Sequence, residues 1–323
     1  MATKKKWNLY NFLNREVDKP DAQESEDVKK LNFKGFFILF ARKFSTIASV
    51  NILFVLLNFP AFFGLMVFVG AINDLSLSPQ NLSFANIYGA LTGRAADPVS
   101  SVYFALSASP VTENEFNRPL LILFIALTCL LLLTFGVVNC GAAHILRSSI
   151  RRQPIFLFKD FFGTIKKNWR QGLILGIFDI LFMIVIVFDL FVFLRNYSYS
   201  YFYTIAFFFS LGVALIYLMA HMYMYMLCIT FDLSVFKIIK NSVIFAFLGF
   251  KRNILALLGQ VAMLYFIYLL ISTGVLAALG VVLPLVIYFG AALFMSYYAS
   301  YKVIDRYMIE PYYDADGNPV KNS

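Results

Sequence analysis

Charge is scarce in this chain: charged residues make up only 14% of its 323 positions, with two histidines and three cysteines. So few charges could not keep a fold of this size in water while 37 Phe and 19 Tyr were put away inside it. The shortage excludes a cytosolic enzyme and a disordered chain. Cys129, Cys140 and Cys228 are odd in number and all lie within long apolar runs, which excludes a disulfide-built secreted scaffold. Chemical motifs are missing too. There is no GxSxG elbow, HExxH pair, Walker phosphate loop or GxGxxG fingerprint. The Glu-Ala-Ala loop with a downstream glycine, which marks permease subunits of binding-protein-dependent importers, is also absent. The expectation is a non-enzymatic protein without a cofactor. Cys140 and His144 stand four apart, a spacing that can converge on a metal. Such a site would have to recruit Asp179 or Cys228, and close packing beside Gly141, Ala142 and Ala143 is the simpler reading. No metal is assigned.

What is present is apolar: 60% of residues are hydrophobic, and the mean hydropathy is +0.75. These residues form long runs rather than alternating strand patterns, which argues against a β-barrel. The expectation is an all-α, polytopic integral membrane helical bundle. Spans are predicted at about 47–69, 119–146, 172–194, 201–230, 253–273 and 275–301. Only Ser272, Thr273 and Gly274 interrupt the last two, so that pair reads as an antiparallel hairpin or as one helix plus a re-entrant piece. On this division, 1–45 is a basic amino-terminal segment, 46–302 the membrane domain with an outside loop at 70–118, and 303–323 a tail.

Basic residues set the expected orientation. Of 27 Lys and Arg, 24 fall before residue 47, in the segments 147–171 and 231–252, or after Tyr301; only Arg94, Arg118 and Arg195 fall on the other side. The positive-inside rule puts both termini and both basic loops in the cytoplasm. A reporter fused after Ser323 is expected to be active only in the cytoplasm, and one near Gly93 only outside; the reverse at either point overturns the orientation. The net charge of +9 is then a topology signal with an attraction to anionic lipid. It is no sign of nucleic acid binding, since no aromatic–basic binding module accompanies it.

The start of the chain lacks the early apolar core of a secretion signal. Met1–Lys6 is basic, Trp7, Tyr10 and Leu13 can touch a membrane surface, and Asp18–Lys30 is polar. Phe33–Lys43 reads either as an interfacial amphipathic helix or as an extension of the first span. Two cytoplasmic loops repeat that theme. Between Pro154 and Gln171, the residues Phe158, Phe161, Phe162, Ile165 and Trp169 recur at helical spacing, with Asp160 and Lys166 among them. From Asp232, a candidate cap, Leu233, Phe236, Ile239, Val243 and Phe247 form a stripe beside Lys237 and Lys240. These helices either anchor in the headgroup layer or form a partner surface, with Phe158, Asp160, Phe162, Lys166, Trp169, Asp232, Lys237 and Lys240 as its candidate residues. In the outside loop, Ala85–Leu91 could make one short helix. The loop reads as a solvated cap or as a recognition surface.

Several stretches carry a resemblance. They are Asn51–Pro60, the run Gly141–Arg147, the loop Ile155–Gln171 with its Lys-Asp-Phe-Phe-Gly-Thr-Ile-Lys-Lys-Asn-Trp core, and Phe231–Asn241. In them the chain resembles the YesL-like membrane family, over most of 31–305 and most strongly over 141–250. The resemblance implies a bacterial multi-helix membrane protein of undetermined activity, associated with carbohydrate importers, whose subunits are then candidate partners beside the lipid bilayer. Shorter members lack the segment corresponding to Ala71–Arg118. Three functions follow as expectations: an accessory or regulatory component of carbohydrate uptake, a small-solute transporter or channel, and, last, a membrane enzyme.

Polar residues inside spans are costly and normally face the bundle. Asp179 lies about 10 Å and His221 about 13 Å from the same membrane face at helical rise. Asn51, Asn139 and Gln260 fall at comparable depths on three other spans. The expectation is an intramembrane polar cluster of Asp179, His221, Asn51, Asn139 and Gln260, with Asp179 and His221 in direct or one-water contact.

Overall fold

The computed structural model describes residues 16–18, 31–61, 63–64, 67, 118–274 and 276–312. The expected membrane contacts at Trp7, Tyr10 and Leu13, the helix at 85–91, nearly all of the loop 70–118 and the end of the tail lie outside the described residues. Described segments are helical almost throughout. The exception is a short antiparallel pair, β1 (Glu16–Asp18) with β2 (Ile155–Phe156). Five helices are long and apolar enough to cross a membrane, and a bent pair adds a sixth candidate. The chain is an all-α polytopic membrane bundle.

The bent pair comes first. α1 (Phe33–Arg42) and α2 (Phe44–Leu57) meet at 74° across Lys43. The chain turns sharply at Lys43, and α1 and α2 are long and apolar enough for a membrane span only when taken together. Phe36 and Phe40 of α1 pack at a tilt against Phe294, while Phe33 and Phe37 remain exposed. The segments described next are α3 (Arg118–Ile150), α4 (Leu157–Arg195), α5 (Tyr201–Thr230), α6 (Val235–Leu248) and α7 (Phe250–Ser272). The last span is composite: α8 (Ala277–Leu283), a π-turn at Pro284–Tyr288, then α9 (Phe289–Ile304). α7 and this composite pack on each other as two spans of a hairpin, not as a span with a re-entrant piece. The structure divides into two compact units, one of residues 1–58 with 132–323 and the other Phe59–Leu131. In the second, Phe59 and Phe63 meet edge to face.

The loop helices differ from expectation in one respect, the cap of α6. The amphipathic stretch after Pro154 and the third span both fall within α4, which is two helical segments joined across a kink at Asn168, where the backbone is non-helical (φ −111°, ψ 16°). There the Asn168 amide donates to Thr164 O at 3.1 Å. At α6 the cap position is Ser234, not Asp232. The expected stripe there is largely on the open side. Phe236, Val243 and Phe247 are exposed, while Ile238, Ser242, Phe245 and Ala246 face the bundle. α6 is apolar on both faces, one for protein and one for lipid, so periodicity in its sequence marks two stripes rather than one.

Candidate intramembrane polar site

The site begins with glycine. Gly172 and Gly176 are four apart on α4 and meet Gly136 of α3 backbone to backbone: a Cβ on Gly176 would stand 2.5 Å from Gly136 Cα. Such a crossing leaves no room for any side chain, which is how small residues bring membrane helices together. Asp179 follows Gly176 by less than one turn, so the crossing fixes where its carboxylate goes.

α5 supplies the partners. Tyr217, His221 and Tyr225 stand four apart and share one face. The Tyr217 hydroxyl donates to Asp179 Oδ1 and, at 3.3 Å, to the Asp179 main-chain oxygen. The Tyr225 hydroxyl donates to Oδ2 at 2.9 Å, and His221 Nε2 stands 2.9 Å from the same oxygen. Asp179 is only 2% exposed, whereas the His221 side chain is 26% exposed. A carboxylate buried in a membrane must find donors, and here three side chains provide them. The structure thus brings Asp179 and His221 together. The two tyrosines were not anticipated, although their four-residue spacing around His221 was a readable signal.

Beside this cluster lies a cavity of about 340 Å³. Its surface is almost wholly apolar, with Phe135, Met183 and Ile184 among the lining, and Asp179, Tyr217 and His221 border it. Met183, Ile184 and Leu218 are exposed at its rim. The arrangement can hold a proton between carboxylate and imidazole, at the edge of an apolar cavity large enough for a small solute. Among the described residues, no group of three or more His, Cys, Asp or Glu converges as a metal site. Cys140 turns toward Cys228, sulfur to sulfur 3.9 Å, and the Cys228 thiol contacts Gln171 Oε1 at 3.7 Å.

Residues 117–190 match the model of a family described as a protein of unknown function, DUF624. No curated protein and no solved structure matches the chain. The matched stretch holds Gly136, Gly172, Gly176 and Asp179, that is, the crossing and its carboxylate. His221 and both tyrosines lie beyond it.

The other three polar residues do not join the cluster. Asn139 donates back to Phe135 O in its own helix at 2.9 Å. Gln260 ties α7 to α9 through Ala292 O at 2.9 Å and Ser296 Oγ at 2.7 Å. Asn51 serves the break in the last span. Its amide nitrogen donates to Leu285 O at 2.7 Å, and its oxygen accepts from Gly290 N at 2.8 Å. Leu285 and Gly290 are five apart, the spacing of a π-turn bond, so the Asn51 amide bridges a gap in the ladder. Gly290 admits it: a Cβ there would meet Ile47 O at 2.5 Å and Asn51 Cβ at 2.9 Å.

The residues considered for partner contact divide likewise. Phe162, Lys166, Trp169, Asp232, Lys237 and Lys240 are exposed, and Phe158 is half-buried against the core. Asp160 has an internal task. Its Oδ2 accepts from Phe156 N at 2.8 Å, as the acidic residue of a capping box does.

Proposed function

We propose that the protein is a non-enzymatic accessory or regulatory membrane component associated with carbohydrate uptake, acting by contact with importer subunits. The resemblance to YesL-like proteins supplies the association, and the surface of the two loop helices supplies the means. Phe162, Lys166 and Trp169 lie along one exposed face of α4, and Phe236, Lys237 and Lys240 are exposed at the start of α6. Gln171 donates to Leu233 O at 3.0 Å and holds the two segments side by side. The exposed aromatic side chains suit an interface better than open water, and the excess of Lys and Arg in both segments supports a cytoplasmic position for it. A Phe162→Ser, Trp169→Ser double variant removes exposed groups only, so it should reach wild-type yield and lose at least 80% of co-purifying importer from native membranes. Full co-purification would reduce these residues to membrane anchors and sink the reading.

The cavity beside Asp179 favours a second reading, a stand-alone small-solute transporter or channel. Solute flux in liposomes holding the purified protein alone supports it.

A further inference from the structure

A second concavity, of about 580 Å³, lies between α1 and α7. Its walls are Phe33, Phe37, Leu255, Leu258 and Ala262 with other apolar side chains, and one charged residue, Arg252, is part of the lining. Phe33, Phe37, Leu255 and Leu258 are exposed apolar groups in a membrane protein, so the groove opens to lipid rather than to water. From Arg252 to Ala262 it follows α7 for about 15 Å at helical rise.

Arg252 is held in an uncommon way. Its guanidinium donates to three main-chain oxygens, Ala299 O at 3.3 Å, Leu31 O at 3.3 Å and Tyr298 O at 3.2 Å, and lies over the Tyr298 ring. None of these carries a negative charge, and two of the five guanidinium N–H groups remain to be given. A guanidinium whose partners are all neutral carbonyls keeps its full positive charge for a planar or tetrahedral oxyanion. The volume lies in the range of ligand sites, and basic pockets beside membrane helices are where anionic headgroups settle.

We propose that this groove is a binding site for an anionic phospholipid, its phosphate on Arg252 and one acyl chain along Leu255, Leu258 and Ala262 beneath α1. A peptide would need polar partners along the groove for its backbone, and the walls offer few. An amphiphile needs one anionic group and a long apolar trough, which is what the groove has. A bound lipid would also tie α1 to the bundle.

Native mass spectrometry of the full chain, released from detergent carrying either phosphatidylglycerol or phosphatidylcholine, tests the site. Wild type should retain one phosphatidylglycerol at least fivefold more often than one phosphatidylcholine. Arg252→Gln should lose that preference. Because Arg252 also binds three carbonyls, Ala262→Trp is the companion variant: it fills the trough without touching the arginine and should lower phosphatidylglycerol occupancy at least fivefold in a folded protein. Equal retention of the two lipids by wild type would overturn the proposal. So would undiminished phosphatidylglycerol binding by Ala262→Trp, including the case in which another segment of the chain fills the groove.

Discussion

Gly176→Leu is expected to yield no monodisperse protein after detergent extraction, and Gly176→Ala a protein that survives only with a sharp loss of thermal stability. The reason is that the atoms opposite Gly176 are backbone. Its new Cβ would lie 2.5 Å from both Cα and N of Gly136, and a Cβ on Gly136 would in turn run into Gly172 O. A flexible side chain could move aside, but a helix can only be pushed off. Overpacking usually destabilises by about 1–3 kcal/mol where side chains can yield, and more where they cannot. Separating α3 from α4 also carries Asp179 away from Tyr217, His221 and Tyr225, so the packing loss and the polar loss arrive together. Gly163, on the same helix with nothing within 4 Å of its Cβ position, is the control. Gly163→Ala should be as stable as wild type or more so, because alanine is favoured over glycine in a helix by about 1 kcal/mol. Size-exclusion profiles after a temperature series read all three variants. A Gly176→Ala protein as stable as wild type would refute the close crossing.

Asp179→Leu should be the next most damaging single change. It deletes the acceptor for Tyr217, Tyr225 and His221 at once and leaves their polar groups facing apolar surroundings. Single hydrogen bonds between membrane helices contribute modestly, about 0.6 kcal/mol on average and up to about 1.7. Three of them, with the stranded donors, come to roughly 2–5 kcal/mol. Asp179→Asn keeps the shape and one acceptor oxygen, and its amide can donate to an imidazole nitrogen or a phenol oxygen. It should therefore fold with a smaller loss. The apparent melting temperature in detergent separates the two. If Asp179→Leu melts with wild type, the cluster does not hold the helices together. If Asp179→Asn folds and abolishes a solute flux that wild type supports, the site belongs to transport rather than to cohesion.

The depth of each polar residue was readable from hydropathy, since a span fixes distance from the membrane face at about 1.5 Å per residue. That was enough to pair Asp179 with His221. It was not enough to assign Asn51, Asn139 and Gln260, because depth is one coordinate and rotation about the helix axis is another. Asn139 and Gln260 lie at suitable depths but point elsewhere, to Phe135 O and to Ser296. Tyr217 and Tyr225 were legible by spacing, yet in a helix with so many aromatics they look like packing. The pair Gly172 and Gly176 was legible too, as two small residues four apart, but only a partner helix shows which small residues are touched. The stripe of α6 lies on the open side, as an anchoring or docking face requires, but the apolar face it turns to the bundle, with Ile238, Phe245 and Ala246, was not singled out, since in a lipid-soluble helix apolar residues do not tell the inside from the outside.

Asn51 sets a condition on how the molecule is made. The residue that closes the broken ladder near Leu285 and Gly290 sits 233 and more positions earlier in the chain. Until α2 is beside it, the final span carries an unfilled main-chain gap into hydrocarbon, where water cannot substitute. The same end-to-end closure recurs where the Tyr298 hydroxyl donates to Asn32 O. Synthesis therefore delivers the first helix long before the segment that needs it, and α2 has to wait in the bilayer without its partner while the four described spans α3, α4, α5 and α7 emerge. The amide that finishes the last span is during that interval an uncovered polar group. The arrival of Leu285 and Gly290 gives that amide its partners and ends the exposure.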